Sequence, residues 1–147
     1  MIIDKRDKGL TAQALVEVAL TLPLILILIL GAMDFGRMFF TKLVLTNAAR
    51  EGANYLAYYP DDKDDSYAVT HATVIAEASS SGVSVIDSEI FIPADGEDGD
   101  CCTVGEAVEI RIVKAVPLIF GGFLKTVGLM EEDTMDITGK VRMVVQR

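Results

Sequence analysis

Residues 18–33 contain no charged side chain, and residues 10–33 contain only one, Glu17. As a helix the inner stretch is roughly 24 Å long and the outer one roughly 36 Å, against a bilayer hydrocarbon core of about 30 Å. The run Leu24-Ile25-Leu26-Ile27-Leu28-Ile29-Leu30 is apolar on every face of such a helix. It needs lipid, or a complete jacket of other helices, around it. A membrane span meets that need better than the core helix of one 147-residue domain.

The rest of the chain has a different character. Half of the residues are hydrophobic, yet the formal net charge is −9, and most acidic side chains follow Tyr59. An apolar anchor joined to an acidic domain accounts for both. No basic patch follows Arg50, which argues against a nucleic-acid partner, because phosphate binding requires clustered Lys and Arg. Lys5, Arg6 and Lys8 lie just before the span and favour a cytoplasmic N-terminus. Arg37, Lys42 and Arg50 weaken that contrast without reversing it. The C-terminal domain is therefore expected outside. A cleaved secretory signal is the competing reading, but this apolar core is longer than a signal core, and Gly31-Ala32-Met33 runs directly into further helical sequence.

Two residues inside the span stand out. Glu17 places a carboxylate where charge costs about 2.5–3.5 kcal/mol at the bilayer centre and less near the interface. It is either a headgroup-level charge or a group that meets a positive partner on another chain. Pro23 removes one helical hydrogen bond and is expected to bend or loosen the helix.

Several segments occur in a telling order: Ala12-Gln13-Ala14-Leu15-Val16-Glu17-Val18-Ala19-Leu20, Leu22-Pro23-Leu24, Asp34-Phe35-Gly36-Arg37 and Thr46-Asn47-Ala48-Ala49-Arg50-Glu51-Gly52-Ala53. Together they resemble the TadE-like pseudopilins, minor pilin-like proteins of bacterial tight-adherence (Flp, type IVb) pilus systems. The resemblance covers about the first 60 residues. Residues 108–116, followed by Pro117-Leu118, are similar to the more variable C-terminal half of that family. The resemblance implies cleavage by a prepilin peptidase between Ala12 and Gln13, which makes Glu17 the fifth residue of the mature chain. The family's usual glycine before the cut is Ala12 here, another small residue; Gly9 would set Glu17 too far along. It further implies partners in other pilin-like subunits and a pilus assembly platform. In a filament, Glu17 could pair with the free amine of a neighbouring subunit, turning a desolvation cost into registration.

Beyond the span, helical spacing continues through Leu45, Ala49, Gly52, Ala53 and Leu56, and Ala48 with Gly52 forms a small-xxx-small pair. That stripe suits packing on the chain's own domain or on another subunit equally well. After the break at Pro60, Asp65 or Ser66 is expected to cap a second helix ending near Ser80 and Gly82, with Ala68, Ala72, Ile75 and Ser79 facing inward. The period then becomes two: Ile86, Ser88, Ile90 and Ile92, ending at Pro93; Val108, Ile110 and Ile112; and Met135, Ile137, Val141, Met143 and Val145. Residues 117–130 are apolar and Gly-rich, suggesting a short helix over a sheet edge or an exposed contact surface.

The expected fold is α+β: a long transmembrane helix continuing into a small extracytoplasmic domain with a second helix and an antiparallel sheet of three to four strands. Residues 1–12 form a cytoplasmic leader, 13–59 the transmembrane and emergent helix, and 60–147 the extracytoplasmic domain. Adjacent Cys101 and Cys102 could form a vicinal disulfide, pair with another chain, or remain reduced. With His71 the only histidine, they are too few for a zinc site. Asp61, Asp62, Asp64 and Asp65, and likewise Asp95, Glu97, Asp98 and Asp100, offer oxygen ligands that could hold extracellular calcium, but they lack the spacing of a calcium loop and read rather as solvated turns. No phosphate loop, HExxH or GxSxG occurs, and His71 has no nucleophile near it in sequence. No cofactor is expected. The expected function is a non-enzymatic pilin-like structural and assembly subunit of a Tad-type pilus. The alternative is a single-pass signal-anchored surface protein with an extracytoplasmic binding domain.

Overall fold

The computed structural model describes residues 5–92, 102–126, 128 and 131–146. One helix, α1 (Lys5–Tyr58), accounts for 54 residues. The chain divides into two compact units: Met1–Gly36 with Leu118–Asp133, and Arg37–Pro117 with Thr134–Arg147. Residues of α1 contribute to both.

The second unit is an α+β assembly. A 3-10 turn (Pro60–Asp65) leads to α2 (Ala68–Ser80), and a second 3-10 turn (Asp87–Glu89) leads to β1 (Ile90–Phe91). β2 (Ala107–Pro117) and β3 (Thr134–Val144) complete an antiparallel sheet in the order β1-β2-β3. Register is fixed by Ile90 opposite Ile112, Ile112 opposite Gly139 and Ile110 opposite Val141. On β2, Val108, Ile110, Ile112 and Val116 are buried and alternate with more accessible residues. On the other face Glu109 pairs with Lys140 at 2.9 Å and Arg142 at 3.5 Å, across the strands.

The small-residue stripe of α1 packs here. Leu45, Ala48, Ala49, Ala53 and Leu56 are fully buried in this unit's core with Val74, Ala78, Ile110 and Ile112. Two glycines set the closeness of that packing. A Cβ on Gly52 would run into a Val74 methyl and come within 3.0 Å of Ile110. A Cβ on Gly139 would lie 2.5 Å from the backbone carbon of Leu45. Intrachain packing therefore occupies the surface that could otherwise have served another subunit.

The start of α2 differs from expectation. Neither Asp65 nor Ser66 caps it. Asp62 does so from within the preceding 3-10 turn, its carboxylate accepting hydrogen bonds from Thr70 N–H (2.9 Å), Thr70 Oγ1 (2.5 Å) and Val69 N–H (3.3 Å). Left-handed Ser66 and Tyr67 reverse the chain between them and set the helix in a different rotational phase. The inward face is consequently Thr70, Val74 and Ala78, whereas Ala68, Ala72 and Ser79 are exposed and Ile75 is half-buried. The first strand is also shorter than its alternation suggested. Glu89 accepts a hydrogen bond from the Ile86 N–H and pairs with Lys114, which holds residues 87–89 in a tight turn and leaves two for the ladder.

In the first unit, residues 12–29 of α1 are exposed throughout. The apolar, Gly-rich segment forms α3 (Ile119–Thr126) and groups with this unit, not with the sheet. A hydrogen bond from Leu118 N–H to the Asp133 carbonyl, 2.8 Å, closes the loop around it.

Candidate functional site

No enzyme-like constellation forms among the described residues. His71 Nδ1 contacts Asp87 at the surface, 3.2 Å away, with no nucleophile beside it. A shallow cleft lined by Tyr58, Tyr59, Pro60, Asp61 and Val104 is open to solvent. Of the first acidic cluster, Asp62 is buried and engaged by Thr70, so it is withdrawn from any surface role. The second cluster, residues 95–100, lies outside the described residues, as does Cys101. Cys102 is buried beside Leu56, Val108 and Val145 and is disulfide-bonded.

The unusual chemistry lies in α1. From Ala12 onward this helix has a stretch of mean hydropathy 2.5, none of it buried within the chain. Leu20, Leu24 and Leu28 are 73%, 62% and 66% exposed, and Ile25, Leu26 and Ile29 are about half exposed. Apolar side chains bare on all faces are costly in water, at about 25 cal/mol per Å². Such a helix is suited to a single membrane span, or to packing among similar helices.

Ala12, Gln13 and Glu17 are all exposed along this helix. The Glu17 carbonyl accepts a hydrogen bond from Thr21 Oγ1 at 2.8 Å. Pro23 lies two residues further on and cannot donate to the carbonyl four residues back, yet α1 is continuous through it. Thr21 back-bonding and Pro23 together concentrate the weak helical hydrogen bonding within one turn.

Asp34 marks where the bare stretch ends. It is the first buried residue of the described side chains on α1, 6% exposed. Its carboxylate accepts hydrogen bonds from the backbone N–H groups of Ile119 (2.8 Å) and Phe120 (2.7 Å). It therefore caps α3 with negative charge at the positive end of the helix dipole. The sequence pattern did not reveal this role. The available signal was an isolated carboxylate closing a long uncharged run.

No curated protein and no solved structure matches the chain. The family model of the TadE-like proteins does match, over residues 12–54. The exposed apolar half of α1, Asp34 and most of the small-residue stripe that follows lie within the residues matched by that model.

Proposed function

We propose that this chain is a non-enzymatic, pilin-like subunit associated with a Tad-type pilus, held in the cytoplasmic membrane by α1 and assembled through it. The observation carrying this reading is the TadE-like match on the helix whose apolar half is left bare among the described residues. The N-terminus lies in the cytoplasm, on the side of Lys5, Arg6 and Lys8, and residues 60–147 lie outside. A prepilin peptidase cuts between Ala12 and Gln13, leaving Glu17 as fifth residue to pair with a neighbouring subunit's amine. Pro23 gives the helix local freedom as it moves from lipid into a bundle. In the oxidising exterior, Cys101 and Cys102 form a vicinal disulfide.

Mass spectrometry of sheared surface filaments and membranes tests this. A mature chain beginning at Gln13 is expected in both fractions, with Glu17→Ala retained in membranes and lost from filaments. An intact Met1 combined with normal assembly of Glu17→Ala would remove the pilin route. It would leave a signal-anchored surface protein.

A further inference from the structure

Asp34 is the first charge after Glu17, so it stands where α1 would leave hydrocarbon for the headgroup region. At that level its buried carboxylate holds the start of α3. α3 in turn presents apolar side chains outward. Ile119 and Phe123, one turn apart, are exposed, and the Phe120 and Phe123 rings stack with centroids 5.7 Å apart. The inner side of α3 is occupied: Gly121 is buried, and a Cβ there would meet Leu118 at 2.6 Å. At the far end Lys125 pairs with Asp133. An eight-residue helix has little stability alone, and this one is tied down at both ends with its apolar face left open.

We propose that α3 is a second membrane-contact element, lying in the lipid interface beside the exit of α1, with Asp34 as the clasp that keeps it there. The occupant of its open face is the glycerol and upper acyl region of the bilayer. That assignment follows from continuity: α3 shares a compact unit with a helix that carries no charge from residue 18 up to the clasp. An amphipathic segment fixed at that depth lies in the interface plane without spanning. The consequence is a two-point attachment, which restrains α1 from rotating freely in the membrane before assembly. The inference rests on the membrane-anchoring part of the function proposed above.

The chain contains no tryptophan, so single substitutions give unambiguous depth probes. The full chain carrying Phe123→Trp is reconstituted in phosphatidylcholine–phosphatidylglycerol vesicles and compared with one carrying Leu26→Trp. Phe123→Trp should show blue-shifted emission, quenched strongly by lipid brominated near the glycerol end of the acyl chain and weakly by lipid brominated near its tip. Leu26→Trp should be quenched more by the deeper bromine. Adding Asp34→Ala should abolish quenching in the Phe123→Trp chain while leaving the Leu26→Trp signal unchanged. Unquenched emission from Phe123→Trp overturns the proposal, as does emission that shifts on diluting protein in lipid, the mark of a second copy covering α3. Quenching that persists with Asp34→Ala overturns the clasp. If Leu26→Trp is itself unquenched, the membrane anchor fails, a different result from failure at α3.

Discussion

The two halves of α1 share one backbone geometry and almost nothing else. Residues 12–29 are exposed throughout, mostly apolar, and end in an unbroken run of leucine and isoleucine over 24–29, whereas Leu45, Ala48, Ala49, Ala53 and Leu56 are fully buried and mostly small. The difference reflects what surrounds each half. A uniform apolar medium selects hydrophobicity without a preferred face, so large side chains can occupy every position. A sheet packed against one side selects a stripe, and close approach selects alanine and glycine. Helical continuity therefore joins two halves suited to different surroundings, and the two should respond differently to the same substitution.

The largest expected contrast comes from truncating one leucine in each half. All four tyrosines, Tyr55, Tyr58, Tyr59 and Tyr67, belong to the second unit, so near-ultraviolet circular dichroism of the full chain in detergent micelles reports that unit's unfolding. Leu45→Ala opens a cavity at a fully buried position and should lower stability by about 2–5 kcal/mol. Leu28→Ala, at a position 66% exposed, should move the same transition by no more than about 0.5 kcal/mol. Equal losses at the two sites would mean that the apolar half also packs on the chain's own core, and the contrast would fail.

A smaller effect should separate the two carboxylate caps. Asp62 starts α2 inside the second unit, and Asp34 starts α3 in the first. Asp62→Ala removes a cap and leaves the buried Thr70 donors unpaired, so a loss of about 2 kcal/mol in the tyrosine-reported transition is expected. Asp34→Ala should leave that transition close to unchanged, because its partners lie in the other unit. A loss at Asp34 matching that at Asp62 would show the two units unfolding as one.

What could be read in the sequence divides along the same lines. The apolar half of α1 was legible because absence of charge over residues 18–33 is a property of every position and needs no register. β2 and β3 were legible because one face is buried and the other charged, as at Glu109 opposite Arg142. The phase of α2 was not. Asp62, Asp64, Asp65 and Ser66 all have capping side chains, and the choice among them falls to a turn containing left-handed Ser66 and Tyr67. Asp34 was hidden for a similar reason. Its partners, Ile119 and Phe120, lie 85 and 86 residues away, and no local pattern encodes a contact at that separation. The small-residue stripe was visible, but whether it met its own sheet or another subunit depended on Gly139 and Gly52 admitting the close approach.

The smallest effect is expected at the far end of α3. The Asp133 carboxyl is held below the ordinary carboxylate range, first by the hydrogen bond from Lys125, then by its own backbone N–H and the Lys125 charge, with slight opposition from desolvation. Because the folded value is depressed, the stabilisation is fully present above the unfolded value. It is lost as pH falls through the lower folded value, so the sensitive window lies in acid below the usual range of Asp. Both partners are half-exposed, and solvent screening keeps the pair a weak tether. Carboxyl NMR titration of the full chain in micelles should give Asp133 a midpoint lower than that of a free aspartate, and Lys125→Ala should return it toward the ordinary value. A midpoint unmoved by Lys125→Ala would mean that the ammonium is not what holds this carboxylate. The Leu118–Asp133 backbone bond would then still close the loop at the start of α3, and acid would not loosen the far end of the helix through this pair.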